Sequence, residues 1–173
     1  MPNISLSSRC NLHCPYCFAH ETMGAGSGDI TLENFDAALE FLTRTGPVNI
    51  GLIGGEPTLH PHFDEIVRRA VACENVAMLT VYTNGLLIEK HADALSLPKV
   101  TLLVNWNAPS ELREGAFERI MCGVDELVFN RGMGRRINLG LNLHGETMEY
   151  GYMLDLLKRY GFDKVRISLT VPE

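Results

Sequence analysis

The chain has 173 residues, 46% of them hydrophobic and 21% charged, which suits one packed core of ordinary domain size and argues against intrinsic disorder. Its 15 basic and 21 acidic residues give a formal net charge of -6, and the Lys and Arg are scattered rather than gathered into a stripe, which argues against sequence-independent nucleic-acid binding. No apolar run approaches the roughly 20 residues that span a bilayer, and Met1 to Cys10 has neither a basic n-region nor a long apolar stretch, so a cytoplasmic protein without a membrane partner is expected.

In chain order, Ile4 and Leu6 alternate with polar neighbours, so a first strand over Asn3 to Ser7 runs into a group of cysteines. Ala19 to Asp29 holds Gly24, Gly26 and Gly28 and reads as a flexible loop. Thr31 suits the N-cap of a helix with Leu32, Phe35, Leu39 and Leu42 on one face, ended by Gly46-Pro47. Val48 to Ile53 is a second strand. Phe63, Ile66, Val67, Ala70 and Val71 share a helical stripe, which predicts a helix over His62 to Cys73. A third strand covers Ala77 to Tyr82, a helix Leu86 to Leu95, and a fourth strand Val100 to Val104. Phe117, Ile120, Met121, Val124, Leu127 and Val128 predict one long helix, because Arg131 to Arg136 is too short for the crossover that a strand at Val128-Phe129 would require. Ile137 to Leu143 is strand five. Met153, Leu156, Leu157 and Tyr160 mark helix five, and Val165 to Val171 is strand six. Met78, Met121 and Met153 read as core fillers.

Six strands and five helices in alternation predict an α/β fold, a parallel sheet with right-handed crossovers and functional residues at the C-terminal strand ends. A complete (β/α)₈ barrel needs about 250 residues, so an open, partial barrel forming a single domain over 1–173 is expected. Only Pro172-Glu173 follows strand six, so no sixth helix and no auxiliary domain are expected; the chain reads either as a trimmed core or as one whose open barrel is closed by a partner or by its own dimer.

Of five cysteines, Cys10, Cys14 and Cys17 crowd into one C-x₃-C-x₂-C stretch, unlike a disulfide framework. Three ligands leave one position of an inorganic centre open, whereas a closed zinc site or a four-cysteine cluster uses four. Cys73 and Cys122 read as buried, inert thiols on helix faces. The alternative is a zinc knuckle completed by His13 or His20.

This cysteine loop resembles that of the radical S-adenosylmethionine (SAM) enzymes. A second motif, Gly54-Gly55-Glu56-Pro57 at the end of strand two, resembles the segment with which that family meets the methionine amino group of SAM. Thr83-Asn84-Gly85 after strand three is similar to members that include peptide-modifying maturases and the molybdenum-cofactor cyclase. The resemblance implies a partial (β/α)₆ barrel and a [4Fe-4S] cluster on Cys10, Cys14 and Cys17. It also implies cleavage of SAM to a 5′-deoxyadenosyl radical, an electron donor such as flavodoxin or ferredoxin, and an organic small-molecule or peptide substrate.

By the same resemblance Glu56 offers a carboxylate to the ammonium and the paired glycines let backbone approach it. Tyr16 lies near adenine, and Gly54, Gly55, Pro57, Thr83 and Asn84 belong to the cofactor site. Related enzymes end strand four in Ser-x-Asp; here Asn105-Trp106-Asn107 stands in its place, with Asn105 at the ribose position and able to donate and accept. Asn142 shares a strand face with Asn138 and Gly140 and is a second candidate for the ribose or the methionine carboxylate. His144, beside Gly145-Glu146 at the end of strand five, is the candidate for a substrate or catalytic role. Trp106 shapes the cavity or packs. His60, His62 and His91 read as turn or surface residues. A different class of reading is a degenerate module that binds cluster and SAM without turnover.

Overall fold

The computed structural model describes residues 1–17, 28–144, 150–162 and 164–169. Strands and helices alternate as β1 (Asn3–Ser5), α1 (Leu32–Thr43), β2 (Val48–Ile53), α2 (Phe63–Ala72), β3 (Val76–Thr83), α3 (Ala92–Leu95), β4 (Val100–Asn105), α4 (Ala116–Asp125), β5 (Ile137–Leu143), α5 (Gly151–Tyr160) and β6 (Val165–Leu169). All six strands are parallel and stand in sequence order in one sheet. Each crossover therefore steps to the next strand position, as in a (β/α) barrel left open between its first and last strands.

The sheet's two faces have opposite character. The residues turned toward the helices are apolar and buried: Ile50 and Leu52 on β2, Leu79 and Val81 on β3, Leu102 and Val104 on β4, Ile137 and Leu139 on β5. They form one core with Phe35 and Leu39 of α1, Phe63, Ile66 and Val67 of α2, Ile120 and Val124 of α4, and Met153 and Leu156 of α5. Most of the alternate residues carry small or polar side chains, among them Asn3, Gly51, Thr80, Thr101, Asn105, Asn138, Gly140, Asn142 and Ser168, with Ile53, Met78 and Leu103 as apolar exceptions. They share rows across the sheet through the pairs Asn3 with Gly51, Gly51 with Thr80, Thr80 with Thr101, Asn105 with Gly140, and Asn142 with Ser168. A complete eight-stranded barrel fills its interior with branched apolar side chains; this one keeps an interior suited to a polar ligand.

Local chemistry explains the element boundaries. The Thr31 hydroxyl accepts from the Asn34 N–H at 3.2 Å and caps α1, which ends where Gly46 turns the chain at φ 125°. The first strand is shorter than expected: β1 stops at Ser5, and Ser7 instead makes an isolated antiparallel bridge with Asp29. The helix expected over Leu86 to Leu95 reduces to a 3₁₀ turn at Glu89–His91 and the short α3. Gly85, at φ 86°, and the Asn84 side chain, which accepts from the Leu86 N–H at 3.1 Å, commit its start to a tight turn. The long helix expected beyond Phe117 is present, but its last turn, Glu126–Asn130, widens to a π-helix in which the Arg131 N–H donates to the Glu126 carbonyl at 3.1 Å.

Several single-residue expectations change. Cys122 is exposed, on the side of α4 away from Ile120, Gly123 and Val124, and Cys73 is only half-buried. His60 and His91 are buried rather than at the surface, while His62 is exposed. The His62 N–H donates to His60 Nδ1 at 3.1 Å, so His60 Nε2 carries the proton and donates to the Ile30 carbonyl at 2.8 Å. His91 Nδ1 stands 2.6 Å from Asp64, with the ring edge-on to Phe63. Met153 is buried, Met78 and Met121 are partly so, and Met133 is a further core methionine. On β6 the helix-side residues Val165, Ile167 and Leu169 are 38%, 59% and 75% exposed, so no described element covers that edge. The flexible loop expected over Ala19 to Asp29 lies outside the described residues except for Gly28 and Asp29, as do His20, Gly145-Glu146 and the end of strand six beyond Leu169. Among the described residues no helix is long and apolar enough to cross a membrane.

Candidate functional site

The C-terminal ends of the strands surround a cavity of about 670 Å³, within the range of about 300–1,000 Å³ typical of small-molecule sites. Cys10, Cys14 and Cys17 line it together with Tyr16, Gly54, Gly55, Glu56, Thr83, Asn84, Asn105 and Asn142. Pro57 does not line it; this residue is buried at the start of a 3₁₀ turn behind Glu56. The face of β5 that carries Gly140 and Asn142 is the one turned to the cavity.

Backbone hydrogen bonds fasten the two main segments together. The Gly55 N–H donates to the Ser7 carbonyl at 2.8 Å and the Glu56 N–H to the Arg9 carbonyl at 2.7 Å. A Cβ on Gly54 would stand 2.4 Å from the Ser7 carbonyl oxygen, so only glycine lets the strand-two end lie this close to the start of the cysteine loop. Arg9 anchors the same stretch through both carboxylate oxygens of Asp29, at 3.2 and 2.7 Å, and through the Leu59 carbonyl at 2.9 Å. Within the loop the Cys17 N–H donates to the Cys14 carbonyl at 3.1 Å, folding the two cysteines into one turn.

Glu56 is 1% exposed. Its Oε1 accepts from the Thr58 N–H at 3.1 Å, the Thr58 hydroxyl at 2.6 Å and the Thr83 hydroxyl at 2.8 Å, while among the described residues Oε2 accepts only the Asn84 N–H, at 2.7 Å. A carboxylate has about four acceptor directions, so Oε1 is saturated and Oε2 keeps acceptor capacity. Burial pushes this carboxyl above its ordinary range against the pull of the Asn84, Thr58 and Thr83 donors. Burial also pushes the Cys10 thiol up, the Leu12 backbone opposes, and the charges of Glu56, Cys14 and Cys17 add to the rise.

Asparagines tie the remaining parts. Asn84 Nδ2 donates to Asn11 Oδ1 at 2.7 Å, linking the end of β3 to the cysteine loop. Asn107 Nδ2 lies 3.4 Å from Cys14 Sγ, and Asn107 Oδ1 accepts the Tyr16 hydroxyl. Burial, then the neighbouring Cys14, hold the Tyr16 phenol above its usual range, against the opposing effect of Asn142 and Asn107. Asn11 and Asn107 were not among the residues singled out from sequence. Neither sits on a periodic element, and their partners are 73 and 91–93 positions away.

His144 stands at the rim, its ring 4.9 Å from that of Tyr16 and its Nε2 3.1 Å from Glu111. Trp106 is 1% exposed and packs against Phe117 and Tyr160 rather than lining the cavity. Arg166 on β6 is the one Lys or Arg lining the cavity among the described residues, with its guanidinium 5.8 Å from the Tyr82 ring centre.

Comparison with known proteins bears on this site. A sequence model of the Radical SAM superfamily matches residues 4–151. The GTP 3′,8-cyclase of Peptoclostridium acidaminophilum is 31% identical over 71% of this chain and 41% of its own length, and that of Chlorobaculum tepidum 29% over 78% and 43%. The chain thus spans about two fifths of these relatives. Among solved structures, anSMEcpe with bound AdoMet superposes with a TM-score of 0.75 at 21% identity, covering 98% of this chain and 52% of the other. Streptococcus suis SuiB bound to S-adenosylmethionine does so with a TM-score of 0.73 at 18% identity, covering 98% and 38%. At these identities the likeness speaks to the fold, a partial barrel of six parallel strands. The superfamily's cofactors are SAM and a [4Fe-4S] cluster, its chemistry is enzymatic, and by the match over residues 4–151 the chain belongs to the Radical SAM superfamily.

Proposed function

We propose that residues 1–173 form the catalytic core of a radical SAM enzyme in which Cys10, Cys14 and Cys17 hold a [4Fe-4S] cluster. The observation that carries this reading is the sharing of one cavity by the three thiols, the Gly54-Gly55-Glu56 segment and the polar strand ends. The donor set suits a cluster better than one ion. Among the described residues no three His, Cys, Asp or Glu side chains stand together as a site for a single metal ion, whereas ligands to three irons of a cluster need only border a common space. His13 lies within those residues and makes no such site; His20 lies outside them. With cluster and SAM bound, the cofactors supply one-electron cleavage of SAM to a 5′-deoxyadenosyl radical that abstracts hydrogen from the substrate.

The chain's own residues bind, orient and exclude water. Glu56 Oε2 and the backbone at Gly54 and Gly55 face the methionine ammonium, a charge that would also relieve the buried carboxylate. Thr83 and Asn84 hold Glu56 in place. Asn105 and Asn142 offer amides to ribose hydroxyls or the methionine carboxylate, and Tyr16 closes the adenine side. His144, engaged by Glu111 and Tyr16, fits a positioning role at the rim better than a chemical one.

The electron comes from an external carrier such as flavodoxin or ferredoxin, and the substrate is an organic small molecule or a peptide. The relatives named GTP 3′,8-cyclase and SuiB, whose structure has been solved with the precursor peptide SuiA, represent these two classes. The exposed stripe Val165, Ile167 and Leu169 supports closure of the barrel edge by a second copy or another chain, which size-exclusion chromatography tests. The activity test is incubation of anaerobically reconstituted protein with SAM and dithionite. Release of 5′-deoxyadenosine supports an enzyme, and SAM binding without release supports a non-catalytic module.

A further inference from the structure

We propose that Asn107 is a positioning residue that donates a hydrogen bond to the Cys14 thiolate and thereby raises the reduction potential of the cluster, an inference that rests on the cluster assignment above. Asn107 follows β4 and is 7% exposed. Its amide lies between two residues of the cysteine loop, with Nδ2 3.4 Å from Cys14 Sγ and Oδ1 accepting the Tyr16 hydroxyl.

The orientation of this amide follows from the chemistry of its neighbours. A metal-bound cysteine is a thiolate and only accepts hydrogen bonds. The NH₂ group must therefore face sulfur, and the carbonyl faces Tyr16, which has a proton to donate. The reversed amide would set two acceptors against each other. The backbone beneath is held as well: the Trp106 N–H donates to the Gly140 carbonyl at 3.2 Å, and the Tyr152 hydroxyl donates to the Trp106 carbonyl at 2.8 Å. Asn107 thus follows a residue whose N–H and carbonyl are both hydrogen-bonded.

Adding an electron to a cluster increases negative charge on its sulfurs, so a donor aimed at one thiolate stabilises the reduced form more than the oxidised form. The Asn107 amide supplies a donor that a carboxylate at this position would lack.

The test is an EPR-monitored redox titration of the reconstituted full chain as wild type, Asn107→Asp, Asn107→Leu and Asn107→Gln, with iron and sulfide counted in each. Asn107→Asp and Asn107→Leu, with cluster content unchanged, are expected to titrate at more negative potential, the aspartate further. A tenfold loss in the reduction equilibrium constant corresponds to about 59 mV for this one-electron couple. Asn107→Gln, which keeps an amide donor, is expected to recover part of the shift. Wild-type potentials in both the Asp and Leu variants would overturn the proposal. So would loss of the cluster from all three variants, which would assign Asn107 to folding of the loop. A wild-type chain that takes up no cluster would instead contradict the proposed function itself.

Discussion

Glu56, at the end of β2, accepts the backbone N–H of Asn84 at 2.7 Å, just past the end of β3, from a position of almost complete burial. One carboxylate therefore sets the spacing of two adjacent strand-end loops that border the cavity. Glu56→Gln keeps the shape, but turning the amide oxygen toward the Thr58 and Thr83 donors leaves NH₂ facing the Asn84 N–H. An unmatched buried donor costs about 1–3 kcal/mol, so urea denaturation of the apoprotein should show a loss of that order. The loss should depend on pH. Because burial raises the folded-state pKa of Glu56, its contribution is full below the unfolded value of about 4.3 and declines as pH rises through the folded value. The wild type's advantage over Glu56→Gln should shrink over that interval; an advantage that grows with pH would contradict the assignment.

Gly140 lies opposite Asn105, and an added Cβ would stand 2.3 Å from Asn105 Oδ1. Gly140→Ala should displace the Asn105 amide, the end of a side chain that borders the cavity, at a cost of about 0.5–1.5 kcal/mol, the range for a forced rotamer change. Asn105→Ala in the same chain should recover most of it, because the clash needs both side chains. Thermal denaturation of the four-member cycle gives the coupling, and additive losses would show that the two residues do not share the space.

The reach of the sequence is clear from which residues it exposed. Apolar periodicity revealed β2, β5, α1 and α5, because burial against a sheet imposes a period that survives in the residue order. The cysteines and Gly54-Gly55-Glu56 were legible because their chemistry is concentrated in short motifs. The polar partners of those motifs were not. Asn11 and Asn107 acquire their roles through contacts with other segments, and no local pattern encodes such a meeting. The burial of His60 and His91 was missed for the same reason: their partners, Ile30 and Asp64, come from other segments. Helix α3 is short because Asn84 and Gly85 spend its first turn on a tight bend, which apolar spacing does not reveal.

Away from the cavity, Asp125 clamps α4 to α5, accepting from Arg159 at 2.7 and 3.3 Å and from the Tyr160 hydroxyl at 2.7 Å. Burial acts to raise this carboxyl, but the Arg159 and Tyr160 hydrogen bonds prevail and hold it below its ordinary value. The stabilisation is therefore present above the unfolded Asp pKa of about 3.9 and is lost as pH falls through the lower folded value. Asp125→Asn should be less stable than wild type at pH 7, by no more than about 1 kcal/mol for so exposed a pair. The two melting curves should converge in acid; a difference that widens there would contradict the clamp.

The central claim, that Cys10, Cys14 and Cys17 present a cluster to SAM within one cavity, is tested most directly by EPR of the anaerobically reconstituted, dithionite-reduced protein before and after SAM is added. The account predicts about four irons per chain, the signal of a reduced [4Fe-4S] cluster, and a change in that signal when SAM binds beside it, all abolished in the Cys10→Ala, Cys14→Ala and Cys17→Ala variants. A colourless protein carrying zinc, or an iron signal that SAM leaves unchanged, would contradict it.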